Sequence, residues 1–125
     1  PSDLDISVPE DEKKELDIEE LDFFQGREYV HAIINRERNR CFYCLSEISI
    51  ENCELDHVIS QLNGGDNSYR NIVATCHKCN TRKQASDASD YLRDLHRKRM
   101  LNESEFEGRL TALEALNKGE LKPEL

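Results

Sequence analysis

The sequence predicts an α+β fold, in which short strands in the middle of the chain are flanked by helices on both sides. Residues 54–60 and 71–75 are short runs rich in apolar and β-branched residues, and a Gly-Gly loop separates them. Segments before and after these runs carry apolar residues three or four positions apart, which is typical of amphipathic helices. Two CxxC pairs bracket the strand region and predict a metal site that braces the fold.

The chain of 125 residues has the length of one domain, and its core is expected to be thin because it holds no Trp and only four Phe. We expect three parts: an acidic, flexible arm at residues 1–24, a core with its leading helix at residues 25–85, and two helices at residues 86–125. The leading helix is predicted to run from Gly26 to about Arg40.

Further elements follow from local patterns. The segment "SEISI" alternates polar and apolar residues and predicts a strand. The segment "CHKCNTRKQ" is predicted to turn into a helix. In the C-terminal pair, Asn102 and Glu105 have the spacing of a capping box, which predicts the start of the last helix.

The net charge of −9 lies in the two ends of the chain. Residues 1–25 hold ten acids and two lysines, and residues 102–125 hold six acids and three bases. Residues 26–101 hold twelve Lys or Arg and ten acids, so the middle is mildly basic and a nucleic-acid partner is not excluded. The acidic arm is interpreted as a solvated tail, with binding to a basic protein partner as the alternative.

Four of the five cysteines form the pattern Cys41-x2-Cys44 and Cys76-x2-Cys79, with 31 residues between the pairs. Four thiolates complete the tetrahedral coordination of zinc and leave no position for water, so the pattern predicts a structural zinc site. A redox dithiol is the alternative, but it normally needs only one CxxC pair. The odd fifth residue, Cys53, speaks against a disulfide framework and is expected to be a small, buried apolar residue.

No run of about 18 apolar residues is present, so no membrane-spanning helix is expected. No signal peptide is visible either. Together with the cysteine pattern, this predicts a cytoplasmic protein that does not bind membranes. The oligomeric state is left open.

Four polar residues lie between or just after the cysteine pairs: Asp56, His57, Asn71 and Asn80. A carboxylate and an amide carbonyl are oxygen ligands that suit a hard cation such as Mg²⁺. A neutral His beside that cation can take a proton from water. The pattern therefore predicts hydrolysis of a phosphodiester, with basic side chains nearby to hold the negatively charged backbone.

The sequence "CFYC … LDHVIS … GG … NIVATCHKCNTRK" resembles the HNH nuclease family in its four-cysteine, zinc-containing form. The resemblance covers about residues 41–84 and implies the ββα-metal fold, in which two antiparallel strands and a helix surround one catalytic cation. It also implies an endonuclease of bacterial or phage-like origin that cleaves DNA with one Mg²⁺ or Mn²⁺ ion, although the residues do not distinguish DNA from RNA.

The resemblance implies a role for each matching residue. His57 is the general base, Asp56 and Asn80 are the ligands of the catalytic cation, and Asn71 braces the loop between the strands and keeps His57 oriented. The zinc ligands are Cys41, Cys44, Cys76 and Cys79. Contacts to nucleic acid are expected from Arg82, Lys83 and His77. Ser60 stands where the family often has Pro, which leaves the geometry of that loop open.

Asp56 and His57 are neighbours on a predicted strand, which limits how both can serve one site. Adjacent residues of a regular strand point to opposite faces, so Asp56 and His57 can serve one site only if the strand bends or ends there, or if His57 acts from the far side of the phosphate.

The alternative function is a zinc-ribbon module that binds nucleic acid, or an HNH accessory protein that cleaves weakly or not at all. It explains the cysteines but not the polar residues at family spacing.

Overall fold

The computed structural model describes residues 17–125. Its α-helices and strands are α1 (Val30–Arg36), β1 (Glu54–His57), β2 (Ile72–Thr75), α2 (His77–Lys83), α3 (Ala88–Arg97) and α4 (Glu103–Asn117). Helices precede and follow the small sheet along the chain, which confirms the predicted α+β class. None of the helices in this part of the chain is long and apolar enough to cross a membrane.

Strands β1 and β2 form an antiparallel pair, in which Glu54 lies opposite Thr75 and His57 lies opposite Ile72. All four residues of β2 are buried. This agrees with a continuous apolar run, which indicates a strand covered on both faces. Helix α1 packs against β2, and α2 packs against β1. The sheet therefore holds the N-terminal end of α2 beside the polar residues of β1.

Two local predictions are wrong, and both errors concern turns. The leading helix ends at Arg36 rather than near Arg40, because Arg38 and Asn39 each have a φ of 58°, which a right-handed helix does not allow. The strand predicted over "SEISI" is reduced to an isolated bridge between Arg40 and Glu47. The backbone there closes the turn that carries the first cysteine pair, so no longer ladder forms.

Helices α3 and α4 pack on each other and close one side of the core. The predicted capping box is present, because the Asn102 side chain accepts from the Glu105 N–H and the Glu105 carboxylate accepts from the Asn102 N–H. Helix α3 buries Tyr91, Leu92 and Leu95, the apolar face that its spacing predicts.

Residues 17–24 of the expected arm pack on the core. Phe23 is fully buried, and its ring lies 5.1 Å from the ring of Tyr29 and 6.3 Å from that of Tyr69. Glu19 accepts a hydrogen bond of 2.6 Å from the Tyr69 hydroxyl and pairs with Arg70. Residues 1–16 of the predicted arm lie outside the described residues.

A buried ion pair ties α1 to the strands and to the C-terminal segment. Arg36 pairs with Glu37 at 2.9 Å, and both side chains are almost fully buried. Arg36 also donates to the carbonyls of Tyr69 and Ile72, while the Glu37 carboxylate accepts from the Ala74 N–H. Because each charge has hydrogen-bonding partners besides the other charge, the pair can be buried without an unsatisfied polar group.

Replacing Phe23 with Ala tests whether the segment before α1 belongs to the folded core. The loss of a buried ring and the cavity it leaves should lower the free energy of unfolding by about 3–5 kcal/mol. Urea denaturation followed by circular dichroism measures this. Leu62→Ala is the control, because Leu62 is 90% exposed and its truncation should change stability by less than about 0.5 kcal/mol. Equal stability of the two variants would contradict the docking of residues 17–24.

Candidate functional site

The four cysteines of the two CxxC pairs come together in one cluster. Their Sγ atoms all lie within 4.8 Å of one another, and those of Cys44 and Cys76 are 3.8 Å apart. Sulfur atoms bound at about 2.3 Å to a tetrahedral ion are separated by about 3.8 Å, so the cluster has the dimensions of a zinc site. Cys41 and Cys79 are buried, and Cys53 lies outside the cluster.

The donor set of the cluster also fits a metal ion. The hydrogen bond with Cys44 and burial raise the pKa of Cys41 to about 12. Hydrogen bonds with Cys41 and Cys44 raise the pKa of Cys79 as well, whereas the hydrogen bonds from Cys41 and Cys79 lower the pKa of Cys44. Four thiolates this close repel one another, and the positive charge of a bound divalent cation offsets that repulsion. Metal binding therefore favours the deprotonated form of the cysteines. The four cysteines could therefore hold a metal ion such as zinc.

Asp56 is buried in β1, and one of its oxygens is held by two donors. The Tyr43 hydroxyl donates to Oδ2 at 2.8 Å, and the Lys83 ammonium lies 3.2 Å from the same atom. Burial raises the pKa of Asp56 above its usual value, and the charge of Lys83 counteracts this effect. Within residues 17–125, Oδ1 has no hydrogen-bonding partner, so it is the oxygen that could bind a cation.

The expectation that Lys83 contacts nucleic acid is corrected by its burial. The Lys83 side chain is completely buried, and its ammonium donates to the backbone carbonyls of His57 and Gln84 as well as pairing with Asp56. It is a structural partner of the candidate site and cannot reach a phosphate backbone outside. His77 and Arg82, on the same helix α2, are exposed, and their contacts with nucleic acid stay a prediction.

His57 is the last residue of β1, so the strand ends at this position, which is one of the arrangements expected from the sequence. Its Nε2 lies 2.7 Å from the Asn67 Oδ1, and its ring packs 4.4 Å from the ring of Phe24. Asp56, His57 and Asn80 line one open cavity of about 330 Å³. Adjacent residues of β1 thus reach the same cavity.

The Asn80 side chain is oriented by Glu54, a residue that sequence reasoning missed. Asn80 Nδ2 donates to Glu54 Oε1 at 2.8 Å, and the other carboxylate oxygen lies 2.6 Å from His77 Nδ1. The hydrogen bond from Asn80 has the largest effect on the pKa of Glu54, and together with the one to His77 it lowers that pKa. A carboxylate only accepts, so the amide nitrogen of Asn80 must face Glu54 and its Oδ1 points elsewhere. Glu54 precedes Asp56 by two residues, so strand alternation could have indicated that both share a face.

Asn71 closes the loop between the strands with three hydrogen bonds. Its Nδ2 donates to the carbonyls of Ile59 and Asp66, and its Oδ1 accepts from the Ile59 N–H. Gly65 is required in this loop, because a Cβ atom there would lie 1.6 Å from the Ile59 carbonyl oxygen. Asn71 thus connects both ends of the loop that follows His57.

Tyr43 links the cysteine cluster to the cavity. It stands between Cys41 and Cys44 in the chain, is fully buried, and donates its hydroxyl to Asp56. Sequence reasoning did not identify it, because an aromatic residue between two cysteines carries no signal for a distant carboxylate. Tyr43 therefore connects the first CxxC pair to a residue that lines the cavity.

The chain matches known proteins over its central part. Residues 41–95 match a family model described as HNH endonuclease. The CRISPR-associated endonuclease Cas9 of Corynebacterium diphtheriae is 39% identical over 51 residues, which cover 40% of this chain and 5% of that protein. The Cas9 of Actinomyces naeslundii is 43% identical over 44 residues, which cover 34% of this chain and 4% of that protein. The chain thus spans a small fraction of these relatives.

The crystal structure of the Type II-C Cas9 enzyme from Actinomyces naeslundii has a similar fold, with a TM-score of 0.56 and 23% sequence identity. The similarity covers 82% of this chain and 11% of that chain, and it concerns the fold alone. The family resemblance expected from the cysteines and the "LDHVIS" motif is confirmed by the family match, which includes all of them. Residues 41–95 are therefore similar to the HNH endonuclease family.

Proposed function

We propose that this chain is a metal-dependent endonuclease that hydrolyses phosphodiester bonds of DNA, with His57 as the general base. The main support is the arrangement of Asp56, His57 and Asn80 around one cavity at the junction of β1 and α2. A cation-binding carboxylate, an amide oxygen and an imidazole within one cavity are the groups that such a reaction needs.

In this proposal, His57 takes a proton from the attacking water molecule. Its ring is half-buried and packed against Phe24, which restricts its orientation. The backbone at His57 is fixed as well, because its carbonyl accepts from the buried Lys83. Asn71 contributes by closing the loop that follows, so the imidazole is held between two rigid segments.

Asp56 and Asn80 would hold one Mg²⁺ or Mn²⁺ ion through their oxygen atoms. When bound, such an ion stabilises the negative charge on the phosphate and on the departing oxygen. The residues fit this ion, because Asp56 Oδ1 has no partner in residues 17–125 and the amide nitrogen of Asn80 is already engaged by Glu54. Lys83 neutralises part of the Asp56 charge but occupies only Oδ2.

The four-cysteine cluster would hold a structural zinc ion that fixes α2 relative to the turn after α1. Exposed His77 and Arg82 would contact the phosphate backbone near the cavity. Residues 25–85 would form the nuclease core, with residues 17–24 and 86–125 packed on it, in a cytoplasmic protein of bacterial or phage-like origin. The acidic sequence before residue 17 would attract a basic protein partner.

His57→Ala should reduce plasmid nicking in the presence of Mg²⁺ or Mn²⁺ by about 10²–10⁴-fold, because the proton of the attacking water loses its acceptor. Gel analysis of supercoiled plasmid with time measures this. His31→Ala is the matched control, because His31 is exposed on α1 and should leave the rate unchanged. Wild-type protein that binds DNA but does not cut it with either ion would indicate the nucleic-acid-binding module instead.

Metal analysis of protein purified without chelator should find one zinc ion per chain. Cys79→Ser should lose that ion and unfold at a lower temperature, because a ligand and its share of the folding energy are removed. Cys53→Ser should keep the ion, because Cys53 lies outside the cluster. Zinc retained by the first variant, or lost by the second, would show that the ligand set is different.

Glu54→Gln should raise the Mg²⁺ concentration needed for half-maximal cleavage by about 10–100-fold, because Gln can donate to the Asn80 oxygen and turn the amide around. Titration of nicking rate against Mg²⁺ measures the effect. Glu51→Gln changes an exposed acid three residues earlier and should leave the Mg²⁺ dependence as it is. If both variants behave like wild type, Glu54 does not orient Asn80.

A further inference from the structure

Residues that precede the family match contact the candidate general base. Asp22 lies outside residues 41–95, yet its Oδ2 accepts a hydrogen bond of 2.9 Å from Asn67 Nδ2. The other end of the Asn67 amide, Oδ1, lies 2.7 Å from His57 Nε2. The three side chains form one chain of hydrogen bonds, although 45 residues separate Asp22 from Asn67 in sequence.

The direction of this chain follows from which groups can donate. An ionised carboxylate only accepts, so the Asn67 amide must present its nitrogen to Asp22 and its oxygen to His57. An amide oxygen also only accepts, so His57 must carry its proton on Nε2 to form the bond. The carboxylate thus determines which imidazole nitrogen holds the proton, and Nδ1 keeps its lone pair.

Asp22 is itself held rigidly. Its Oδ1 accepts from the N–H groups of Gln25 and Phe24, at 2.7 and 2.9 Å. The hydrogen bonds from Gln25 and Asn67 lower its pKa below the usual range of a carboxyl, so it stays ionised at neutral pH. Between Asp22 and Phe24, the N–H of the buried Phe23 donates to the Asn67 carbonyl at 2.8 Å.

The same segment also covers the imidazole ring. The ring of Phe24 lies 4.4 Å from that of His57 at an angle of 53°. His57 is therefore fixed along one edge by Asn67 and on one face by Phe24. Within residues 17–125, its Nδ1 has no hydrogen-bonding partner, so this nitrogen is free to meet a water molecule.

We propose that Asp22 and Asn67 are positioning residues that keep the proton of neutral His57 on Nε2 and so leave Nδ1 as the atom that accepts the proton from the attacking water. The role in catalysis rests on the proposed function, whereas the assignment of the proton does not. Residues 22–24 thereby complete a site whose other members lie within the family match.

The proton assignment is tested by nitrogen NMR on the full chain labelled with ¹⁵N-histidine, with the His57 signals identified from a His57→Gln sample. The wild-type spectrum at a pH where His57 is neutral should show a protonated Nε2 and an unprotonated Nδ1. Asp22→Asn should give a mixture of both tautomers, because an Asn at this position can also donate and lets the Asn67 amide turn around. A wild-type His57 protonated on Nδ1 overturns the proposal whether or not the protein cleaves DNA.

The catalytic consequence is measured in the same variants. Asp22→Asn should lower the kcat of nicking by about 10–100-fold and leave KM unchanged, since Asp22 acts only through His57. Asp17→Asn is the matched control, because Asp17 lies on the same segment and, among the residues from 17 onward, its side chain accepts only from the Glu19 N–H. An unchanged tautomer and an unchanged kcat in Asp22→Asn overturn the proposal.

A second variant separates this effect from a loss of folding. Asn67→Ala removes the link but leaves both backbone bonds to Asp22 Oδ1 in place, and its fold is checked by circular dichroism. It should reproduce the mixed tautomer and the lower kcat. In the double variant, Asp22→Asn should add little to Asn67→Ala, because both changes interrupt the same connection. Fully additive losses in the double variant would contradict a shared path through Asn67.

Discussion

Four sulfur atoms within 4.8 Å of one another join the turn after α1 to the first turn of α2. This contact sets the position of the short helix, which has only seven residues and could not be stable alone. Because Asn80 follows Cys79 directly, the cluster also sets the position of Asn80 at the cavity. Tyr43, inside the other CxxC pair, donates its hydroxyl to Asp56. The residues of the two CxxC pairs therefore help to fix the positions of both proposed cation ligands.

Carboxylates determine the orientation of the amide side chains at and beside the cavity. Glu54 engages the nitrogen of the Asn80 amide, and Asp22 engages that of Asn67. An amide held in this way can present only its oxygen to the cavity or to His57. The positive charge that balances Asp56 comes from a fully buried lysine. A thin apolar core can thus support a polar site, because almost every group around it is fixed by hydrogen bonds.

Much of the fold could be predicted because its signals are local. The CxxC spacing identified the cluster, the apolar run of β2 identified a buried strand, and the Asn102–Glu105 capping box identified the start of α4. The missed features depend on tertiary contacts. Nothing local distinguishes Lys83 from a surface lysine, and its burial follows from the packing of α2 on β1. The docking of Phe23 and the contact between Asp22 and Asn67 join distant parts of the chain, so no periodicity could indicate them.

The central claim is that neighbouring residues hold two different metals, zinc at the four cysteines and a hard cation at Asp56 and Asn80. Crystals grown with Mn²⁺ and measured at the zinc and manganese absorption edges test this claim directly. The account predicts a zinc signal among the four sulfur atoms and a manganese signal between the oxygens of Asp56 and Asn80, in the cavity lined by His57. Manganese bound elsewhere while that cavity stays empty, or a cysteine cluster without zinc, would contradict it.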